Sequence, residues 1–285
     1  MGQEQWTVMK VLNWSCDDLK KKGVEKPRLD AEILLSHTLG LSRLELYTNF
    51  DKPMSPNERE SFKSLLKRRR EREPIAYILG HKEFYSMDFC VSSSVLVPRP
   101  ETELLVDRVL KETGKDGEAT IVDIGTGSGC IAVAIAKNST NKVYASDISK
   151  EALTVAQKNA SQNEAAVTFA QGSLLAPFEP GLLFDGIVSN PPYIETETLA
   201  GLSPELAFEP KGALDGGADG LDVIRPLVDE AKGRLVNGGF LLFEIGFNQG
   251  EAAKVLLASE GYEGIEIIKD LAGHDRALFA RRRAM

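Results

Sequence analysis

Along roughly the first 75 residues, apolar positions recur at helical spacing, with Trp6, Val8, Met9, Leu12 and Leu19 on an opening segment and Ile33, Leu34 and Leu35 on the next. This pattern predicts a small helical domain. Two helix starts carry capping boxes, Ser42 with Glu45 and Ser55-Pro56-Asn57-Glu58. In the second, Ser55 caps, Pro56 takes the first helical position and Glu58 reaches back. From His81 to Val97, the residues Phe84, Tyr85, Met87, Phe89, Val91 and Val95 mix with polar ones, which reads as a short β-hairpin or connector. Beyond it, strand and helix patterns alternate: Thr120 to Ile124, a helix from Gly129, Val143 to Ile148, a helix from Lys150, Val167 to Ala170, and Gly186 to Ser189. Gly239 to Ile245, Ile265 to Ile268 and Arg276 to Ala280 complete the set. Such alternation predicts an α/β, doubly wound and mainly parallel sheet. The expected division is a helical domain over 1–80, a hairpin linker over 81–98 and an α/β domain over 99–285.

Composition narrows the class. Of 285 residues, 42% are apolar and 27% charged, values of an ordinary globular protein. The longest apolar run, Cys130 to Ala136, is far short of the roughly 18 residues of a membrane span. Met1 to Trp6 lacks the basic start and apolar stretch of a secretory signal, so a cytoplasmic location and no membrane partner are expected. Cys16, Cys90 and Cys130, like His37, His81 and His274, are scattered, which indicates neither a disulfide framework nor a metal site. A net charge of -8 argues against a broad grip on nucleic acid. The cluster Lys67-Arg68-Arg69-Arg70, with Glu71 and Glu73 beside it, reads as a solvated helix face with internal ion pairs.

Asp123-Ile124-Gly125-Thr126-Gly127-Ser128-Gly129 follows an apolar strand and opens a helix, where α/β sheets bind nucleotide-like ligands. Glycines there admit a close backbone approach, and the helix N-terminus offers unpaired N–H donors. Asp147 ends the next strand, 22 residues beyond Gly125, a spacing suited to gripping ribose hydroxyls. A dinucleotide fingerprint would need a third glycine at position 130, which is Cys130. Asp123 would repel a pyrophosphate and welcome a cation. S-adenosylmethionine, with an ammonium, a sulfonium and no phosphate, suits this set. The simpler reading is a glycine turn with a buried acid that caps the helix.

Asn190-Pro191-Pro192-Tyr193 follows the strand pattern ending at Ser189, beside the same crevice. An ordinary strand exit is the plain reading. After a nucleoside site, it also suits methylation of an amide or amino nitrogen. Such a nitrogen is a poor nucleophile and must be held and turned. The Asn190 side-chain carbonyl accepts one N–H, a backbone carbonyl at Asn190 or Pro191 the other, and the prolines remove competing donors. Tyr193 is expected to stack on the planar group.

These segments together resemble the release-factor glutamine methyltransferases, the HemK or PrmC family, over nearly the whole chain. The resemblance rests on Asn190-Pro191-Pro192-Tyr193-Ile194, Val97-Pro98-Arg99-Pro100-Glu101-Thr102-Glu103, the glycine loop, Ala213 to Leu221 and Asp270 to Arg276. It implies a seven-stranded Rossmann-like methyltransferase sheet with one antiparallel strand, after a helical domain that helps dock peptide chain release factors. It also implies S-adenosylmethionine held by Gly125, Thr126, Gly127, Ser128, Gly129 and Asp147, and the glutamine of a Gly-Gly-Gln loop held by Asn190 to Tyr193. Some members of that family place an aromatic residue on adenine near the position of Leu174, which is aliphatic here and is the expected cofactor contact. Arg99 and Glu101 suit either a rigid, helix-capping wall or direct contact. Adenine-N6 methylation of nucleic acid is the rival activity, since it uses the same chemistry and a similar motif. Against it, a base-flipping enzyme usually brings a basic target-reading region.

Overall fold

The computed structural model describes residues 5–284. Residues 1–4 and 285, and with them most of the segment read as lacking a secretory signal, lie outside the described residues. The chain forms two compact units: residues up to Gly80 together with Pro204–Phe208, and His81–Ser203 together with residues from Glu209 onward.

The smaller unit contains α1 (Val8–Lys21), α2 (Pro27–Leu39), α3 (Arg43–Thr48), α4 (Pro56–Arg70) and α5 (Ile75–Leu79). Val8, Leu12 and Leu19 of α1 pack with Leu34 and Leu35 of α2 and with Phe62 and Leu66 of α4 in one core. Both capping boxes form. Ser55 donates its N–H to Glu58 Oε2 at 2.7 Å and accepts from Glu58 N at 3.3 Å, and Ser42 and Glu45 do the same for α3.

In the basic cluster at the end of α4, Lys67 and Arg70 are exposed and Arg68 pairs with Glu73 as expected, while Arg69 departs from the solvated face. Arg69 is only 6% exposed, with Nε on Asp30 at 2.7 Å and Nη2 on Glu205 at 2.8 Å. Arg72 also pairs with Glu205 at 2.8 Å. A guanidinium buried this deeply requires acidic partners, since an unpaired buried charge is strongly destabilising. Burial pushes the Glu205 carboxyl up, but hydrogen bonds from Arg72 and Arg69 outweigh it and hold the group down at about 2. Those partners come from α2 and from residues 204–208, so adjacent sequence could not reveal them.

The larger unit begins with a hairpin, β1 (His81–Phe84) and β2 (Met87–Cys90). Its Phe84 and Phe89 are fully buried in the unit's own core beside Leu105, Val106 and Val109 of α6 (Glu103–Thr113). There follow β3 (Thr120–Ile124), α7 (Cys130–Asn138), β4 (Lys142–Asp147), α8 (Lys150–Gln162), β5 (Val167–Gln171), β6 (Phe184–Ser189) and α9 (Ile224–Arg234). The chain continues through β7 (Leu235–Glu244), α10 (Gly250–Ser259), β8 (Tyr262–Lys269) and β9 (Asp275–Arg282).

Strands β3 to β9 form a seven-stranded sheet in the order β5-β4-β3-β6-β7-β9-β8, in which β9 alone runs opposite to the rest. This is the α/β, Rossmann-like methyltransferase sheet, preceded in the chain by a helical unit and a hairpin. Successive side chains on a strand point to opposite faces. Ile121, Phe240 and Leu242 therefore pack with α6 and α7, while Val122, Leu241 and Phe243 pack with α9 and α10. Helices covering both faces explain why these strands read as continuous apolar runs. The sheet starts at β3, winds outward through β4 to β5, then returns to place β6 on the other side of β3. That reversal opens a crevice at the C-terminal ends of β3 and β6.

Candidate active site

Both motifs that carry chemistry in the sequence emerge at this crevice. Gly125, Gly127 and Gly129 all have positive φ, at 68°, 55° and 81°. Gly129 is the most restricted, because a Cβ there would lie 3.0 Å from Ala156 Cβ on α8. The loop is also fastened from outside. Asp147 Oδ2 accepts from Gly127 N at 2.8 Å, and its Oδ1 accepts from Ser149 N at 2.9 Å. Buried Asn159 of α8 donates to Ser128 O at 2.8 Å and pairs with both backbone groups of Cys90 in β2.

A cavity of about 420 Å³ opens over this loop. Gly125, Thr126, Gly127, Ser128, Asp147, Leu174, Asn190, Pro191 and Pro192 all line it, and Ile148 and Thr102 complete its apolar and polar walls. Leu174 itself takes positive φ, at 47°, and its carbonyl accepts from Ser146 Oγ at 2.8 Å. Ile148 is 72% exposed at the cavity wall, which leaves an apolar surface there for a ligand to cover.

Three expected site residues are placed differently, and one of them, Gly129, packs against Ala156 of α8 and not on the cavity wall. Asp123 does not line the cavity; it is fully buried beneath the loop, where Oδ2 accepts from Thr126 Oγ1 at 2.6 Å. Burial raises its carboxyl to about 7, with Asp147 adding to the effect. Its part is to brace the loop from below, and it does not face a cationic ligand group across the cavity. Tyr193 likewise is not part of the cavity wall. It packs against the core under α9 and donates its hydroxyl to Glu244 Oε1 at 3.0 Å. Stacking on a planar substrate group in this conformation does not follow from that placement.

The same region pairs residues that no local pattern connects. Asn190 Nδ2 donates to Thr102 Oγ1 at 3.2 Å, and Thr102 Oγ1 donates to Glu244 Oε2 at 2.7 Å. Thr102 and Glu244 are 2% and 1% exposed. Burial raises the Glu244 carboxyl, while hydrogen bonds from Thr102 and Tyr193 and the charge of Arg276 oppose the shift. Thr102 lies inside the Pro-Arg-Pro-Glu-Thr segment and Glu244 ends a run of apolar residues in β7. A buried acid at a strand's C-terminal end was the available signal. Arg99 pairs with Glu209 at 2.5 Å, and Glu209 also accepts from Val97 N, so Arg99 helps fix the wall. The turn after Asn190 is held by Gln249, which donates to Tyr193 O at 2.8 Å.

The glycine loop after β3, the acid ending β4 and the acceptor-rich turn after β6 define a Rossmann-like methyltransferase class. A methyltransferase from Pyrococcus furiosus shares the fold, with a TM-score of 0.54 and 22% identity over 71% of this chain and 92% of that one. The PrmC N-terminal domain model matches residues 10–80 and the methyltransferase small domain model residues 100–203. Release factor glutamine methyltransferase of Geobacter sulfurreducens is 45% identical over 280 residues, 98% of each chain. That of Rhodopirellula baltica is 45% identical over 96% of this chain and 95% of its own. The chain belongs to the release factor glutamine methyltransferase family.

Proposed function

We propose that this protein transfers the methyl group of S-adenosylmethionine to the side-chain amide nitrogen of the glutamine in the Gly-Gly-Gln loop of peptide chain release factors. The observation that carries this is the position of Asn190. Its side chain lies on the wall of the cavity that the glycine loop and Asp147 also line, and Oδ1 has no protein donor among the described residues.

The cavity suits the cofactor. Its size falls in the ordinary range for small-molecule sites. Asp147 spends one acceptor site of each oxygen on backbone N–H groups and keeps others for ribose hydroxyls. Ile148 and Leu174 offer aliphatic surface for a purine face, and the glycine loop brings backbone close to the ligand. When bound, the cofactor supplies an electrophilic methyl group on a sulfonium.

The chain's own task is to orient the acceptor nitrogen. Asn190 Oδ1 accepts one N–H of the glutamine amide, and a backbone carbonyl of Asn190 or Pro191 accepts the other. Pro191 and Pro192 contribute no N–H, so this wall offers acceptors without competing donors. Holding the nitrogen in line with the methyl carbon is the main catalytic act, and alignment of this kind supplies up to about 7–11 kcal/mol. Tyr193 supports the turn from beneath through Glu244. The helical unit is the candidate docking surface for the release factor, and a cytoplasmic setting accords with that substrate. No described helix is long and apolar enough to cross a membrane. Adenine-N6 methylation is less well supported, because the full-length relatives are named for glutamine methylation and the chain carries a net charge of -8.

The test is transfer of labelled methyl to a release factor by wild type and by Asn190→Ala. The variant is expected to lose about 100-fold or more in turnover, the size typical of removing one orienting hydrogen bond at a reacting centre. Its cofactor affinity should stay near wild type. Normal turnover by the variant would contradict the role given to Asn190.

A further inference from the structure

Thr102 and Glu244 have no part in the proposed chemistry, yet they close a hydrogen-bond chain that ends on Asn190. Burial raises the Glu244 carboxyl, so the order of donors in that chain follows its charge, and with Glu244 ionised the order is set. An ionised carboxylate only accepts, so the one Thr102 hydroxyl proton goes to Glu244 Oε2 and the Tyr193 proton goes to Oε1. Thr102 Oγ1 is then left as an acceptor, and the Asn190 group 3.2 Å away must donate. That group is Nδ2, so Oδ1 stays available to accept. Turning the amide over would set two acceptors against each other in a nearly dry site, at the cost of an unsatisfied buried polar group. Burial raises the Glu244 carboxyl, hydrogen bonds from Thr102 and Tyr193 and the charge of Arg276 act against that shift, and Thr102 and Glu244 are each almost fully buried, so water cannot readily substitute for either partner.

We propose that Glu244 is a positioning residue that acts through Thr102 to hold the Asn190 amide with Oδ1 toward the substrate nitrogen. This rests on the assignment of Asn190 to the substrate amide. Thr102→Val keeps the shape but removes the hydroxyl. Glu244→Gln keeps only one acceptor oxygen, for which the Thr102 and Tyr193 hydroxyls then compete.

The experiment measures kcat and KM for a release factor, with S-adenosylmethionine affinity by calorimetry, in Thr102→Val, Thr102→Ser, Glu244→Gln and Asn190→Ala. Thr102→Val is expected to lose about 10- to 100-fold in kcat, as expected when a reacting group is misaligned. KM and cofactor affinity should stay within about threefold, because ground-state binding is not what the chain controls. Thr102→Ser, which keeps the hydroxyl, should recover most of the rate, and Glu244→Gln should fall in kcat without loss of cofactor affinity. If Asn190→Ala is inactive while Thr102→Val turns over at the wild-type rate, the positioning role is overturned and the function stands. Failure of Thr102→Ser to exceed Thr102→Val also overturns it. If Asn190→Ala itself turns over normally, both the Asn190 assignment and the positioning role fall. Should Thr102→Val not fold, Thr102→Ala, which also lacks the hydroxyl, decides in its place.

Discussion

Asp147 accepts the backbone N–H of Gly127 at 2.8 Å, so the acid that ends β4 organises the glycine loop that follows β3. One carboxylate thus shapes the loop and, in the proposed function, grips the ribose. Asp147→Ala removes both effects. Cofactor affinity should fall roughly 10- to 100-fold, the loss expected for charge-assisted hydrogen bonds of about 1.5–3 kcal/mol. Calorimetric titration checks this, and unchanged affinity would remove Asp147 from the site.

Gly129 begins α7 with φ at 81° and faces Ala156 too closely for any side chain to enter without movement. Gly129→Ala should therefore destabilise the larger unit by about 1–3 kcal/mol, from backbone strain and overpacking together. Urea unfolding followed by fluorescence measures the change. An unshifted midpoint would show that α8 yields freely at this point.

Asp123 makes the folded state less stable as pH rises. Its folded carboxyl is raised to about 7, so the native state keeps its proton while the unfolded chain loses it above the ordinary carboxylate range. Stability from this group is therefore complete in acid. It declines by about 1.4 kcal/mol per pH unit between the unfolded value and about 7, then levels off. Asp123→Asn cannot titrate, so its stability relative to wild type should climb from pH 4 to pH 7 and stay flat above. A parallel pair of stability curves across that range would rule out the buried protonated acid.

Arg69 is the buried member of the ion-pair cluster in the smaller unit. Arg69→Ala leaves Asp30 without its partner and Glu205 with Arg72 alone, and should cost about 3–5 kcal/mol. Glu205 reports on the same cluster by titration. Its folded carboxyl is held down at about 2, so its contribution is present above the unfolded value and is lost as pH falls toward 2. The loss on Arg69→Ala, read by chemical denaturation, should shrink under those acidic conditions. A cost below about 1 kcal/mol at neutral pH would mean the cluster behaves as a surface pair.

Local chemistry was what the sequence could express. The Ser42 and Ser55 capping boxes, the strand Thr120–Ile124 and the helix start at Lys150 each depend on residues within a few positions of one another, and each forms where expected. The glycine loop and the Asn190 turn could be placed on one crevice because the strand order of doubly wound sheets constrains both. Side-chain direction was not legible in the same way. β3 is buried on both faces, so no alternation showed that Asp123 points beneath the loop and not into the cavity. Tyr193 and Glu244 lie 51 positions apart, and Arg69 and Glu205 lie 136 apart. Only the folded chain brings such pairs together. Helix α6 was within reach of pattern reading, since Leu105, Val106, Val109 and Leu110 repeat at helical spacing. The motif just before it drew attention to Arg99 and Glu101 and away from Thr102.

In the proposed function the acceptor is a glutamine amide in a protein. Wild-type protein, methyl-labelled S-adenosylmethionine, a release factor and duplex DNA incubated together, followed by peptide mapping and recovery of the DNA, distinguish it from a nucleic-acid acceptor. Label confined to the glutamine of the Gly-Gly-Gln loop is the predicted result, and label in the DNA with none in the release factor would contradict it.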